Sequence, residues 1–112
     1  MSVAELDDLL DHIRKAATEA CGFVEGMSRE ALLADKRTQH AVTMCLLIIG
    51  EAATKVITRY PDFVARHETT PWRNMRGMRN RIAHGYFEID IEIVWETVQT
   101  ALPGLLATLP KR

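Results

Sequence analysis

The chain reads as an all-α protein, an up-and-down bundle of four to five helices forming one domain over residues 1–112. Three observations carry this reading. Apolar residues recur at helical spacing through most of the chain. Capping and helix-ending residues stand where those patterns begin and stop. Only one segment, Phe87 to Ile93, alternates like a strand, and a lone strand would leave its backbone groups unpaired.

Ser2 followed by Glu5 is a capping box, and behind it Leu6, Leu9, Leu10, Ile13, Ala16, Ala17, Ala20 and Val24 mark one helical face. Gly26 fits a C-cap, Ser28 the cap of a short helical turn, and Asp35 the cap of a second long helix. That helix carries Ala41, Met44, Cys45, Ile48, Ile49, Ala52, Val56 and Ile57, and Tyr60-Pro61 closes it. It is apolar nearly all round from Met44 to Ile49, which predicts the central, most buried element. Gly50 costs that helix roughly 1 kcal/mol relative to Ala, a cost that close helix packing would offset.

Thr70-Pro71 reads as an N-cap with proline at the first helical position. Trp72, Met75, Met78, Ile82 and Ala83 give the third long helix its stripe, and Gly85 can end it. Tyr86 to Ile89 is expected to be an extended connection. Asp90 caps a last helix with Ile91, Val94, Trp95, Val98, Ala101 and Leu102 inward, and Pro103-Gly104 is expected to kink or break it.

Composition narrows the function. Hydrophobic residues are 47% and charged residues 26% of the chain, a globular balance and not a disordered one. Lys+Arg 14 against Asp+Glu 15 gives a net charge of -1 and excludes a globally basic nucleic-acid coat, while leaving room for a local basic patch. The longest apolar run, Ala41 to Gly50, is about half of the roughly 20 residues needed to cross a bilayer. The N-terminus shows no basic region followed by an apolar stretch. A cytoplasmic protein without a membrane anchor is expected. Cys21 and Cys45 lie in apolar helical patterns and are read as buried, reduced thiols. His12, His40, His67 and His84 show no ligand spacing, so no metal or other cofactor is expected.

Charge is segregated along the chain. Pro71 to Gly85 holds Arg73, Arg76, Arg79 and Arg81 and no acidic residue, whereas Tyr86 to Thr100 holds Glu88, Asp90, Glu92 and Glu96 and no basic one. Arginines without lysines fit a surface that grips phosphate through bidentate donors. The alternative is that they pair with acidic faces of neighbouring helices, including Glu5, Asp7, Asp8, Asp11 and Glu19.

Arg79-Asn80-Arg81-Ile82-Ala83-His84-Gly85-Tyr86 packs several chemically useful groups together. Histidine titrates near neutral pH and can take and give protons, and arginine is a permanent cation. RNA cleavage needs a base for the ribose 2′-hydroxyl, cations for the charge developing on phosphorus, and an acid for the leaving oxygen. On a regular helix Arg79 and His84 lie about 140° apart and share no face. Either the helix ends before His84, or two copies of the chain assemble the site. A third possibility is a histidine that merely interacts with the helix dipole.

Arg79, four residues, His84, one residue and Tyr86 match the RX4HXY pattern of HEPN-domain toxins of the HepT type. The ordered surroundings resemble that family too: Ile49-Gly50-Glu51-Ala52, Pro71-Trp72-Arg73, Gly77-Met78-Arg79-Asn80, and Tyr86-Phe87 through Asp90 to Val94-Trp95. The likeness runs from about Leu6 to Leu109 and is most specific from Pro71 to Val98. It implies a helical homodimer that cuts RNA without metal, with Arg79 and His84 at the dimer cleft and Asn80 as the polar residue after the arginine. It further implies a type VII-like toxin–antitoxin pair, with tRNA among the candidate substrates. The antitoxin, a MntA-like minimal nucleotidyltransferase, would silence the chain by AMPylation of Tyr86.

Other residues carry two readings. Glu51 either orients a catalytic group or pairs with Lys55 one turn on. Arg73, Arg76 and Arg81 are the candidate RNA phosphate contacts. Tyr86 could equally be a buried aromatic, Trp72 and Trp95 read as core or dimer contacts, and Met75 and Met78 as adaptable packing. Two other functions compete with a ribonuclease. One is a non-catalytic binding or substrate-presenting subunit of a minimal nucleotidyltransferase, and the other is a helical dimerisation domain.

Overall fold

The computed structural model describes residues 3–85 and 89–110; the expectations placed on Ser2, Tyr86, Phe87 and Glu88 lie outside the described residues. Helix α1 (Val3–Phe23) leads through a turn with Gly26 at φ 78° into the short α2 (Arg29–Leu33). Ser28 caps α2 by accepting from the Ala31 N–H, and Asp35 caps α3 (Lys36–Arg59) by accepting from the Thr38 N–H. Both are the caps that the sequence predicts. Tyr60 ends α3, and Pro61 opens a further short helix, α4 (Pro61–Arg66). Helix α5 (Trp72–Gly85) follows, and then α6 (Ile91–Glu96), capped by Asp90. Helix α6 runs through a π-helical stretch, Thr97–Ala101, into α7 (Leu102–Thr108).

Helix α1 packs along α3, α5 packs on the other side of α3, and α6–α7 closes the bundle against α1, α2 and α3. A single apolar core results, with Leu10, Ile13 and Ala17 of α1 meeting Val42, Ala53 and Val56 of α3, and Val94, Val98 and Leu102 from the last helices. Helix α3 is long and apolar enough by length and composition to span a bilayer, beyond the Ala41–Gly50 run alone. Here 44% of its apolar window is buried within the protein, between α1 and α5, the position of a core helix.

Four sequence expectations are corrected. The sequence pattern predicts no element over residues 61–69, yet α4 forms there and its Phe63 ring meets both His67 and Trp72. The Trp72 indole N–H donates to the His67 carbonyl at 3.0 Å, so α4 and its loop anchor the start of α5. Thr70 is not a helix cap: it is 2% exposed and its hydroxyl donates to the Thr108 carbonyl at 3.0 Å, tying the entry of α5 to the end of α7. Of the kink or break expected at Pro103-Gly104, the break does not occur. The Leu102 N–H reaches back to the Thr97 carbonyl, and this widened turn carries the chain past a ring that would otherwise meet the preceding turn. Finally, the apolar girdle of α3 is not wholly inward, because Met44 is 55% and Ile48 39% exposed.

Polar ties also join helices far apart in sequence. Glu5 of α1 accepts from Arg59 at 3.1 Å and from the Tyr60 hydroxyl at 3.0 Å, binding the start of α1 to the end of α3. These partners hold the Glu5 carboxyl below its ordinary value, and hydrogen bonds from Thr38 do the same for Asp35. Both thiols are reduced, Cys45 buried and Cys21 partly so, and burial raises both. Gln39 is 7% exposed, and its amide donates to the carbonyls of Leu32 and Leu33, closing the C-terminus of α2.

Two stability predictions follow from these ties. Gln39→Leu removes the side-chain donor from the Leu33 carbonyl and one donor from the Leu32 carbonyl, which keeps the Asp35 N–H, and lowers unfolding free energy by about 1–3 kcal/mol in urea titration, with helical content retained. Because the folded-state values of Glu5 and Asp35 are depressed, their stabilisation is full above the unfolded carboxylate values and lost as pH falls through the folded ones. Melting temperature measured against pH should therefore decline on the acid side, less steeply in Glu5→Gln.

Candidate functional site

The site is built where α5 crosses α3. Among the described residues α5 has its main packing against α3 alone, so the fit between these two helices determines where its side chains sit. Gly50 is buried in that contact. A Cβ placed on it would lie 2.1 Å from the Arg79 Cβ and 2.8 Å from the Met75 carbonyl oxygen. The missing side chain is thus what lets α5 approach, which gives the physical reason for a glycine inside a core helix.

The next residue, Glu51, takes up the arginine that Gly50 admits. The Arg79 Nε donates to the Glu51 carboxylate at 2.5 Å, and its Nη1 donates to the Asn80 side-chain oxygen at 2.7 Å. No other hydrogen bond of the Arg79 guanidinium is made among the described residues. Glu51 therefore pairs with Arg79 across the helix interface, and the alternative partner Lys55 is not used. Arg79, at 30% side-chain exposure, is held on two sides while still reaching solvent. Three residues singled out in the sequence, Glu51, Arg79 and Asn80, are brought together.

His84 is not among them. Helix α5 continues to Gly85, which removes the option that the helix ends before the histidine. His84 is exposed, about 140° round the helix axis from Arg79 by regular helical geometry. Within one chain the two groups point to different sides of α5. Tyr86 lies outside the described residues.

The remaining arginines of α5 do not behave as the structural alternative requires. Among the described residues Arg73, Arg76 and Arg81 form no ion pair, whereas Arg14, Arg29, Arg59 and Arg79 each do. Arg29 pairs with Glu92, linking α2 to α6. Arg73 and Arg81 instead stand at a cavity of about 450 Å3 between α5 and the α6–α7 helix. Asn74, Gly77 and Thr97 also line it, and sequence reasoning had singled out none of them for a site. Among the described residues no three His, Cys, Asp or Glu side chains gather closely enough to hold a metal ion.

The fold and the site define a class: a small α-helical bundle with an arginine clamped where α5 crosses the central helix α3 and an exposed histidine further along α5. Comparison with known proteins places it further: residues 13–111 match the family described as "Ribonuclease HepT-like", and the chain belongs to that family. It is 36% identical over 104 residues to "Probable ribonuclease HepT" of Thermococcus cleftensis, covering 93% of this chain and 92% of the relative. It is 33% identical over 101 residues to a protein named "Putative RNase MJ0127" of Methanocaldococcus jannaschii, covering 90% and 78%. A third relative, "Putative RNase TTE0752" of Caldanaerobacter subterraneus subsp. tengcongensis, is 32% identical over 96 residues, covering 86% and 83%. No solved structure matches.

The close approach at Gly50 yields a direct test. Gly50→Ala forces α5 outward or distorts Arg79, and overpacking of this kind costs about 1–3 kcal/mol. Chemical denaturation should report that loss, and the Glu51–Arg79 pair should weaken with it.

Proposed function

We propose that the chain is a metal-independent endoribonuclease toxin that works as a homodimer. The clamped guanidinium of Arg79, on a helix segment otherwise free of acidic residues, is the observation that carries the reading. Its geometry suits a pentacoordinate phosphorus: the Nε and Nη1 edges are held by Glu51 and Asn80, and the remaining donors are left for non-bridging oxygens. In this reading the 2′-oxygen attacks phosphorus as His84 removes its proton. The 5′-oxygen leaves with a proton returned to it, and a 2′,3′-cyclic phosphate remains.

The separation of Arg79 and His84 around α5 favours a site composed from two chains. The exposed face of α3 supports such a pairing. Met44, Leu47, Ile48, Glu51 and Lys55 share one side of the helix, and Met44 and Ile48 are the apolar residues left uncovered there. A second copy seated on that face would bring two Arg79 and two His84 around one cleft. Asn80 and Glu51 then act as positioning residues for Arg79, and Arg73, Arg76 and Arg81 as phosphate contacts.

The resemblance to HepT-type toxins extends the proposal to control. The partner is a MntA-like nucleotidyltransferase antitoxin in a type VII-like pair, and it adds AMP to Tyr86. An adenylate two residues from His84 brings a negative charge and a base into the RNA path. The substrate class is RNA, with tRNA first to be tried, and the location is the cytoplasm.

Wild-type protein, with Tyr86 verified unmodified by mass spectrometry, should cut tRNA or a mixed RNA pool in the presence of EDTA. His84→Ala should abolish cleavage and growth inhibition with its circular dichroism unchanged. Glu51→Gln should retain cleavage at a rate lowered by roughly tenfold, since one charge-assisted contact to Arg79 is lost. Absence of cleavage by the folded, unmodified dimer would transfer the assignment to a non-catalytic subunit of the nucleotidyltransferase.

A further inference from the structure

The cavity between α5 and the α6–α7 helix has no part in the clamp at Arg79. Neither Arg79 nor His84 lines it. Its volume of about 450 Å3 falls in the range of small-ligand sites, roughly 300–1,000 Å3. The floor is apolar, from Leu46 and Ile49 of α3, Met75 and Met78 of α5, and Leu102 and Leu105 of α7. Arg73, Asn74 and Arg81 supply the polar groups, all three exposed, and among the described residues neither arginine has an ion-pair partner. A neighbouring hollow shares Met78, Arg81 and Ile93, so the groove continues along α5 toward Gly85.

Gly77 is the second observation. It stands in the middle of α5, where glycine destabilises a helix relative to alanine. At Gly50 the neighbouring helix explains the glycine; at Gly77 an added Cβ would meet nothing within 4 Å. No contact within the described chain requires its bare backbone, and it lies on the wall of the cavity. Arg73, Gly77, Arg81 and His84 fall at i, i+4, i+8 and i+11, which puts them on one stripe of α5. A ligand lying along that stripe reaches the histidine.

We propose that this groove is a nucleotide subsite for single-stranded RNA, holding the residue next to the scissile phosphate. The base enters the apolar floor against Met75 and Met78, Asn74 reads its edge, and the adjoining phosphates lie on Arg73 and Arg81. The backbone at Gly77 is the point of closest approach. The charge argument selects RNA over an apolar or acidic protein segment: the rim donors are two bidentate cations about 12 Å apart along one wall, too far apart to grip one carboxylate together and placed for separate anionic groups of one chain. This inference rests on the ribonuclease reading and adds to it a specificity element, since the floor and Asn74 touch the base and not the reacting atoms.

The test is fluorescence anisotropy of a short labelled single-stranded oligoribonucleotide of mixed sequence, titrated with full-length protein carrying His84→Ala so that binding is read without cleavage. Adding Gly77→Leu should raise Kd by roughly tenfold while leaving the melting temperature unchanged or higher, because the side chain enters open space. Gly77→Ala should also fold at least as stably as the parent. Adding Arg81→Ala should weaken binding and flatten the slope of log K against log salt by about 0.7. Unaltered affinity in folded Gly77→Leu and Arg81→Ala proteins overturns the subsite. If wild type still cleaves RNA in that case, only the subsite fails; if wild type neither binds nor cleaves RNA, the ribonuclease reading fails with it. A Gly77→Leu protein whose dimer dissociates in sedimentation velocity while its RNA affinity holds would mark the groove as a protein interface, which also overturns the proposal.

Discussion

The approach of α5 to α3 at Gly50 is the constraint on which the site depends. Helix α5 has its main packing on α3 alone, and the contact closes over a position where even a methyl group would overlap the Arg79 Cβ. Interiors packed at crystal density do not absorb such an overlap without shifting a helix. The distance that admits Arg79 also sets the reach of Glu51, which then holds the guanidinium at 2.5 Å. Adjacent residues of α3 thus do separate work: one yields space, and the other supplies charge.

Three of the four arginines of α5 divide into two groups by their surroundings. Arg79 faces α3 and is fastened there. Arg73 and Arg81 face the gap toward α6–α7 with no acidic partner among the described residues, although α6 carries Glu92 and is capped by Asp90. The sequence places an acid-free segment directly before an acid-rich one, which invites the idea that the two neutralise each other. The fold instead commits Glu92 to Arg29 of α2. Among the described residues, positive charge along α5 is therefore left without an acidic partner, and such charge on a rigid helix is the usual footing of a phosphate-binding surface.

Helix α3 serves as core on two sides and as surface on a third. It packs α1 and α5, and its remaining side exposes Met44 and Ile48 near Glu51. That exposure explains why its composition is apolar almost all round when its burial is not. An apolar strip beside the clamp agrees with a second copy joining there, and membership of the ribonuclease HepT-like family agrees with RNA as the substrate class.

Much of the local structure was legible in the sequence because it rests on local chemistry. Ser28, Asp35 and Asp90 cap the helices they precede, since a side-chain oxygen serves the nearest open N–H groups whatever the tertiary setting. The helical periods of the long helices were equally readable. Only the tertiary structure decided the rest. Thr70 looks like a cap but bonds to Thr108, distant in sequence; Pro103 looks like a break but is passed by a π-turn in which the Leu102 N–H reaches the Thr97 carbonyl. Glu51 has Lys55 at hand in sequence, yet it bonds Arg79 on another helix. At Thr70 and Glu51 a partner far along the chain outcompetes a local one, and spacing along one helix carries no information about which other helix will arrive beside it.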